Sequence, residues 1–458
     1  MYKRQSKHPA SYRDPCGFVF FHEGELYRQV NLCYREHYDY LVSSGLYKKL
    51  VKEDLLIPHE EVNVPSPEPS QVHRVIKPER IPFISYPYEW CFSQLKDAAL
   101  ITLKIQKTAL DHGMVLKDAT PYNIQFYKGK PVLIDTLSFE IYRDGEPWRA
   151  YRQFCQGFLA PLVLAAYTDL RILSLFRIFH EEYPLDFVAS LLPSKTKFRP
   201  GIFTHIHLHA GLQMRMGMSQ LPERKIGKNA LYGMVEALQG IVEGLKPKIK
   251  KSVWSSYYEQ LSYTSGAFED KKKVVEEWIR KLSPSTVWDL GANVGIFSMI
   301  SASFGVFTVS FDMDPVCVEV NYTECKKKGV INILPLVMEL TNPSPAIGWE
   351  NKERESFMER GPCDTALALA LVHHLAIGCN VPFGKMAQFF SRICKNLIIE
   401  FIPPDDERAK LLLSRKKENF EWYNLNRFEK TFSHFFTILE RKQLKGSSRV
   451  LYLMGGKG

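Results

Sequence analysis

The feature that most constrains this chain is a regular alternation of apolar strands and helical segments from residue 286 onward. Short apolar runs such as TVWDL, VFTVSFD, INILPLV, DTALALALV, NLIIEFI and VLYLM are separated by segments with helical spacing. This alternation is typical of a mostly parallel sheet covered by helices, because parallel strands need a crossover connection between them. The sequence therefore predicts an α/β domain in the second half of the chain.

The first half has a different pattern, in which short strands are followed mostly by helices, and it predicts an α+β domain. A long amphipathic segment, FSQLKDAALITLKIQKTALDHG, has apolar residues at three- and four-residue steps and ends at Gly113. With 458 residues the chain is long enough for two or three domains. Composition and periodicity change near the basic run KPKIKK, so we divide the chain into residues 1–219, a helical linker 220–254 and residues 255–458.

Net charge and hydropathy limit the cellular compartments and the classes of partner that are expected for this chain. The net charge of +10 is a mild excess for this length, which permits an anionic partner but gives no reason to expect nucleic acid. The opening stretch MYKRQSKHPASYRDP is basic and lacks the apolar segment of a signal peptide. Apolar runs such as FLAPLVLAAY are too short to span a membrane. We expect a cytoplasmic protein without a membrane span, and its oligomeric state stays open.

Neither the cysteines nor the histidines suggest a metal site. The nine cysteines are scattered singly, with no CxxC pair, which argues against structural zinc and for a reducing compartment. His205, His207 and His209 alternate in THIHLHAG and would share one face only if this segment were a strand. No acidic or cysteine ligand accompanies them, so no metal is expected.

A glycine-rich turn follows the first strand of the second half. In DLGANVG, Asp289 ends the strand, and Gly291, Asn293 and Gly295 lead into the helix IFSMISASF. Glycines let the backbone approach a ligand closely, and the helix begins with free N–H groups. On spacing alone, such a turn could hold NAD, FAD or S-adenosylmethionine.

Positions around this turn favour S-adenosylmethionine. The carboxylate of Asp289 would repel a pyrophosphate but attract the ammonium of a methionine moiety. The next strand ends in Asp312 and Asp314, about 20 residues further on, where a carboxylate can accept both ribose hydroxyls. After the third strand, Glu339 and Leu340 are placed to meet the edge and the face of an adenine.

The motifs VWDLGANVGIFS, FDMDP, VMEL, ALALALVHHLAI and IIEFIP resemble, in order and spacing, those of class I S-adenosylmethionine-dependent methyltransferases over residues 255–458. The resemblance implies a doubly wound, Rossmann-like sheet of seven strands, with S-adenosylmethionine as cofactor. Asn293 replaces the middle glycine of the first motif, and asparagine tolerates the left-handed backbone needed there. The preceding segment, VWSSYYEQLSYTSGAFEDKK, resembles the lid of this family, in which Tyr258 or Tyr263 would cover the sulfonium, with ordinary packing as the alternative.

Candidate bases lie where the predicted strands end, since ligands of such folds bind at the carboxyl ends of the strands. The run ALALALVHHLAI ends in His373 and His374, and a neutral imidazole suits the removal of a proton from an alcohol or phenol near pH 7. Either histidine is a candidate catalytic base, with pocket shaping as the alternative. Glu400 is the next candidate, as a base or a substrate anchor, whereas Asp405 and Asp406 are expected to cap a helix.

The segment VLKDATPYNIQFYKGKPVLIDTLSFE in the first half resembles the catalytic loop of protein kinases and aminoglycoside-type kinases. Asp118, Asn123 and Asp135 match the acceptor-orienting Asp and the two Mg²⁺ ligands of those enzymes. The glycine-rich phosphate loop and the usual lysine are missing, although Arg28 lies on the right kind of strand and Glu36 could pair with it. Because phosphoryl transfer depends on charge positioning, the resemblance implies a degenerate kinase-like domain that binds a nucleotide or a substrate.

The hypothesis that follows is an enzyme that transfers a methyl group from S-adenosylmethionine to an oxygen or nitrogen of a small molecule, glycan or lipid-linked intermediate. Two alternatives stay open: a small-molecule phosphotransferase that uses Asp118, Asn123 and Asp135, and a non-catalytic scaffold. Kinase-like motifs ahead of a methyltransferase also resemble a group of bacterial methyltransferases, some of them nodulation-related, which suggests a glycan acceptor.

Overall fold

The chain folds as two compact units. The computed structural model describes residues 5–211, 225–249 and 265–457. One unit comprises Met1–Ile249 and Ile347–Arg354, and the other comprises Lys250–Ala346 and Glu355–Gly458. Tyr258 and Tyr263, the tyrosines of the predicted lid, lie outside the described residues.

The first unit begins with an antiparallel sheet in the strand order β1-β2-β3-β5-β4. Its strands are β1 Gln5–Lys7, β2 Gly17–His22, β3 Glu25–Asn31, β4 His59–Glu61 and β5 Val72–Pro78. Two small two-stranded sheets follow: β6 Met114–Leu116 pairs with β9 Phe139–Ile141, and β7 Ile124–Tyr127 forms a hairpin with β8 Lys130–Leu133. The two-residue turns Glu23–Gly24 and Lys128–Gly129 have positive φ at both positions, which matches the right-handed twist of the strands they join.

Helices make up most of the remainder of the first unit. They are α1 Arg35–Ser43, α2 Leu46–Lys52, α3 Phe92–Asp111, α4 Tyr151–Phe154, α5 Ala160–Tyr167, α6 Leu185–Leu191, α7 Pro200–Ile202 and α8 Lys228–Gly244. The apolar positions of α3 recur every three or four residues and are buried, and Gly113 follows the helix with a φ of +73°. The long amphipathic helix predicted to end at Gly113 is thus confirmed.

Helix α8 falls within the predicted linker 220–254, but it does not stand apart as one. Leu231, Val235, Leu238 and Val242 form a buried stripe along it, and the helix packs against α3. An amphipathic helix in this position gains free energy by covering an apolar surface of the neighbouring domain. The structure therefore places α8 in the first unit.

His205 and His207 of THIHLHAG lie on a π-helix, Phe203–Leu208, and His209 follows it in a helical conformation, so the segment is not a strand. The Tyr151 hydroxyl lies 2.6 Å from His205 Nδ1 and 3.2 Å from His209 Nε2, whereas His207 Nε2 lies 2.9 Å from the hydroxyl of Thr196. Helical geometry therefore separates His207 from the other two imidazoles, as expected if the segment were not extended.

The second unit is built on a seven-stranded sheet in the order β12-β11-β10-β13-β14-β16-β15. The first five strands of this order are parallel, and β16 runs antiparallel to both of its neighbours. The strands are β10 Thr286–Leu290, β11 Phe307–Asp312, β12 Ile333–Val337, β13 Cys363–Ala368, β14 Cys394–Phe401, β15 Phe436–Gln443 and β16 Val450–Gly456. The predicted seven-stranded sheet is confirmed. Strand β15 lies at an edge and is mostly exposed, so it lacked the apolar signal by which the others were recognised.

Six helices accompany this sheet within residues 265–457: α9 Ser265–Leu282, α10 Ile296–Ser303, α11 Pro315–Lys328, α12 Phe383–Ile393, α13 Glu407–Leu413 and α14 Leu425–Phe432. One apolar core unites helix and sheet residues, including Trp278 of α9, Val287 of β10, Phe297 of α10 and Leu367 of β13. No helix in the described parts of either unit is both long and apolar enough to cross a bilayer.

The strand order determines where a ligand can enter the second unit. From β10 the chain moves outward to β11 and β12 and then returns to the opposite side of β10 to form β13. At such a reversal the connections leave in opposite directions, which opens a crevice at the carboxyl ends of the two central strands.

Candidate active site

A cavity of about 310 Å³ lies at this reversal point, at the carboxyl ends of β10 to β13. It is lined by six of the seven predicted cofactor-binding residues: Asp289, Gly291, Asn293, Asp312, Glu339 and Leu340. Gly295, the seventh, has a φ of +82° and begins helix α10 behind the cavity wall. A Cβ at this position would lie 2.5 Å from the Asn321 side chain, so glycine is required there by packing as well as by backbone conformation.

Asp289 is the penultimate residue of β10 and is only 2% exposed. Its Oδ2 accepts a 2.6 Å hydrogen bond from the Ser298 hydroxyl of α10. Burial raises the pKa of Asp289 to about 6, and the nearby Lys271 ammonium opposes part of that rise. The carboxylate is thus fixed in position and has a strong tendency to attract a cation.

Asp312 at the end of β11 is held by the backbone of the two loops beside it. Its Oδ2 accepts from the Asn293 N–H at 2.8 Å, and its Oδ1 accepts from the Asp314 N–H at 2.8 Å. Asn293 has a φ of +52°, and its side-chain Oδ1 accepts from the N–H of Val294, so this asparagine forms the left-handed turn expected of it. Burial raises the pKa of Asp312 to about 6. Each oxygen keeps acceptor capacity for a further donor.

The rim and one wall of the cavity follow strand β12. Glu339 is exposed at the rim, where its Oε1 accepts a 2.5 Å hydrogen bond from the Thr341 hydroxyl, and Leu340 is half-buried beside it. Met338, which sequence reasoning missed, is buried and provides an apolar, polarisable surface next to them. The signal that could have found it is its place in VMEL, directly before the predicted adenine-edge acid.

Lys271 of α9 was also missed, and it changes the interpretation of Glu400. Both side chains are almost fully buried, at 2% and 0% exposure, and Lys271 Nζ donates to Glu400 Oε2 at 2.6 Å. The same oxygen accepts from the Ala370 N–H at 2.8 Å, and the Arg449 guanidinium lies 3.9 Å from Oε1. Glu400 is absent from the cavity lining, whereas Lys271 is part of it. The prediction of Glu400 as a base or substrate anchor is therefore replaced by a structural role, in which it neutralises two buried cations.

Comparison with known proteins shows to which family the chain belongs. No protein-family model matches the chain. It is 33% identical to Nodulation protein NoeA of Rhizobium meliloti (strain 1021) over an alignment of 464 residues, which covers 98% of this chain and 96% of that protein. This chain belongs to the NoeA family.

Solved structures are similar to parts of this NoeA-family chain. WbdD, determined with the kinase inhibitor LY294002, is 17% identical, with 41% of this chain and 40% of WbdD aligned and a TM-score of 0.29. Magnesium protoporphyrin IX methyltransferase of Synechocystis PCC 6803 with bound SAH is 14% identical, over 42% and 84% of the two chains, with a TM-score of 0.31. N-methyltransferase NodS of Bradyrhizobium japonicum WM9 is 11% identical, over 42% and 98%, with a TM-score of 0.32. At these scores the likeness supports no functional conclusion, which has to come from the site itself.

The two histidines after β13 have different environments in this NoeA-family chain. His374 lines the cavity, and its pKa is lowered to about 4 by burial and by the Arg408 guanidinium. His373 is fully buried behind it, with the ring centroids 4.0 Å apart, and neither of its ring nitrogens has a hydrogen-bond partner among the described residues. Burial lowers the pKa of His373 well below its usual value. Only His374 is placed to touch a ligand, so the candidacy of His373 as a base is not supported by its position.

The kinase-like residues of the first unit lie close together in the structure. Asn123 Nδ2 donates to Asp118 Oδ2 at 3.1 Å and to the Ser138 hydroxyl at 3.2 Å, and that hydroxyl donates to Asp135 Oδ2 at 2.8 Å. Burial, followed by the proximity of Asp135, raises the pKa of Asp118. Arg28 does lie beside this cluster, but its partner is Asp135 at 2.7 Å, not the predicted Glu36.

The remaining acidic residues with a predicted role lie in the region after β14. Asp406 caps helix α13, because its Oδ1 accepts from the Arg408 N–H at 2.9 Å, and its Oδ2 also receives Arg449 Nε at 2.7 Å. The helix-capping role is thus confirmed for Asp406. Arg449 also connects this cap to Glu400. The loop that follows β14 and the buried Lys271–Glu400 pair therefore form one charged network.

Proposed function

We propose that this protein transfers a methyl group from S-adenosylmethionine to an oxygen or nitrogen of a small molecule, glycan or lipid-linked intermediate. The observation that carries the proposal is a pair of carboxylates, the buried Asp289 and the half-buried Asp312, at neighbouring strand ends of one cavity. A cofactor with an ammonium at one end and a ribose diol nearby satisfies both groups, whereas a pyrophosphate at the same loop would be repelled.

The residues around the cavity fit the separate parts of S-adenosylmethionine. Asp289 would accept the ammonium, and Lys271, whose ammonium lies at the same end of the cavity, is suited to the carboxylate of the amino-acid part. Asp312 would accept the ribose hydroxyls, and Met338 and Leu340 would pack on the adenine. When bound, the cofactor supplies an electrophilic methyl group on a sulfonium; the protein's own contribution is to bind, orient and exclude water.

His374 is the side chain best placed to meet an acceptor. Its lowered pKa leaves the imidazole uncharged at neutral pH, so that one ring nitrogen carries a lone pair. The same shift makes it a weak base before the reaction begins. We therefore assign it the role of orienting an acceptor O–H or N–H by accepting its hydrogen bond, with proton transfer following as positive charge builds on the acceptor.

Replacing His374 with alanine is expected to leave the affinity for S-adenosylhomocysteine within about threefold of the native value, since the imidazole meets the acceptor and not the cofactor. Methyl transfer should fall by roughly 10²–10³-fold, the size of a lost acid–base or orienting contact. Isothermal titration would measure the first quantity, and incorporation of labelled methyl groups the second. Unchanged incorporation would remove His374 from the mechanism.

Cofactor affinity is expected to depend on pH through the two aspartates. Burial raises the pKa of both carboxyls to about 6 in the free protein, whereas an ammonium and two hydroxyls favour their ionised forms. Binding then releases protons, so affinity is full above the raised pKa and falls as pH drops through it. At about pH 5 the loss is roughly tenfold for each carboxylate. Titration of S-adenosylhomocysteine from about pH 5 to 7.5 would test this, and a flat profile would show that the aspartates do not contact the ligand.

The acceptor can be sought with the cofactor as a tracer. The R. meliloti relative is named a nodulation protein, which supports testing glycans and lipid-linked oligosaccharides first. The protein would be incubated with methyl-labelled S-adenosylmethionine and fractionated bacterial extract, with the Asp312→Ala protein as control. Label that appears in a glycan or lipid fraction only with the native protein supports the proposal. No binding of S-adenosylmethionine or S-adenosylhomocysteine would overturn it.

A further inference from the structure

The kinase-like cluster of the first unit would need a divalent cation if it worked as its resemblance implies, and the two ligands would be Asn123 and Asp135. The surroundings of these two residues do not suit a bound divalent cation. Asp135 Oδ1 already holds the Arg28 guanidinium at 2.7 Å and the Leu137 N–H at 3.0 Å, and Oδ2 accepts from the Ser138 hydroxyl. A Mg²⁺ ion brought to this carboxylate would meet a permanent positive charge at contact distance.

Arg28 is held in this position by the strand that carries it, and its side chain is largely buried. It lies in the middle of β3, where it is paired in register with Ile76 of β5 and Val19 of β2, and its side chain is only 15% exposed. A second carboxylate, Asp14, lies 3.9 Å from the same guanidinium. Arginine cannot lose its proton at accessible pH, so the charge between these acids is permanent.

The charges near the cluster indicate what Arg28 replaces. Three carboxylates, of Asp14, Asp118 and Asp135, are opposed by two cations, Arg28 and Lys117, and the Lys117 Nζ lies 3.9 Å from Asp14. Without Arg28, three carboxylates would face one ammonium, and two negative charges would stay uncompensated. Two excess charges on convergent oxygen ligands are what a hard divalent cation binds.

We propose that Arg28 is a built-in substitute for the metal: its guanidinium holds the acidic loop together, excludes divalent cations from Asp135, and makes the first unit metal-independent. The hydrogen-bonded chain from Arg28 through Asp135, Ser138 and Asn123 to Asp118 then fixes the loop to the sheet. A phosphotransferase that needs Mg²⁺ at Asp135 is excluded by this arrangement, and the loop keeps a positioning role.

The first test removes the guanidinium. Arg28→Gln is expected to lower the thermal unfolding temperature by roughly 5–10 °C, because a poorly exposed carboxylate loses its partner. Millimolar MgCl₂ or MnCl₂ should then recover most of that loss in Arg28→Gln but leave the native protein unchanged. The double variant Arg28→Gln/Asp135→Asn should show no recovery. Arg74→Gln, which breaks an exposed ion pair with Glu61 on the adjacent strand, is the matched control and should not respond to metal.

The second test measures metal binding directly. Titration of MnCl₂, followed by electron paramagnetic resonance, is expected to give the same binding curve for the native protein and for Asp135→Asn. Arg28→Lys, which keeps a cation on the strand, should behave like the native protein. A Mn²⁺ site in the native protein that is lost in Asp135→Asn would overturn the proposal, as would an Arg28→Gln protein that folds but shows no metal-dependent recovery.

Discussion

The Asp312→Ala protein is expected to bind S-adenosylhomocysteine at least about 100-fold more weakly than the native protein, the largest functional effect that the structure indicates. Two hydrogen bonds from a ribose diol to this half-buried carboxylate contribute roughly 3 kcal/mol together. The carboxylate also accepts the N–H groups of Asn293 and Asp314, so its loss leaves the turn beneath the cofactor without support. Isothermal titration measures the effect directly.

A matched control is available at the opposite edge of the same sheet. Asp364, the second residue of β13, likewise accepts two backbone N–H groups, from Ser285 at 3.0 Å and Thr286 at 3.3 Å, and also pairs with the exposed Lys395 ammonium at 2.7 Å. Asp364→Ala should therefore reproduce the loss of loop support without touching the cavity, and we expect its cofactor affinity to stay within about threefold of native. Equal affinity in both variants would mean that Asp312 does not hold the ribose, and the assignment of the cavity would fail with it.

The Lys271→Met protein is expected to lose roughly 3–5 kcal/mol of free energy of unfolding, the largest effect on stability. Its Nζ is the 2.6 Å partner of Glu400, and neither side chain has appreciable contact with water. Without Lys271, the Glu400 carboxylate keeps the Ala370 N–H and a distant guanidinium, which do not offset the cost of its burial. Urea denaturation followed by circular dichroism would give the free energy.

The neighbouring residue supplies the control for this prediction. Lys272 lies on the same helix but is partly exposed, and its partner Glu269 is exposed as well. Lys272→Met should change the free energy of unfolding by less than about 1 kcal/mol. In the double variant Lys271→Met/Glu400→Gln, the buried charge is gone and a glutamine oxygen can still accept from Ala370, so about half of the lost stability should return. A Lys271→Met loss no larger than that of Lys272→Met would contradict the buried ion pair.

Sequence patterns could group the proposed cofactor-binding residues, six of which line one cavity, because the features that define them are local. A strand, a glycine-rich turn and an acid at the next strand end follow one another within a few dozen residues, and parallel strands bring such ends to the same edge. Asp289 and Asp312 line one cavity, and predicting this required no information about distant parts of the chain. The edge strand β15 was missed because an exposed strand carries little apolar signal.

Glu400 and Arg28 were misjudged for the opposite reason. Each was read from its own strand, whereas its chemistry depends on a residue distant in sequence: Lys271 for Glu400 and Asp135 for Arg28. A carboxylate at a strand end has the same sequence context whether it faces a substrate or a buried ammonium. Desolvation and pairing decide between these outcomes, and both arise only when the chain has folded.

By itself, then, the sequence determined the alternating α/β architecture of the second half and the two acidic strand ends at which a nucleoside cofactor is proposed to bind. The tertiary structure alone decided which charges neutralise one another. It showed that Glu400, a candidate base, is the counter-ion of a buried lysine. It placed His374 in the cavity lining and His373 in the core, and it paired Arg28 with Asp135. The physical reason is that hydrophobic periodicity is a property of neighbouring residues, whereas the energy of a buried charge depends on whatever partner the fold brings to it.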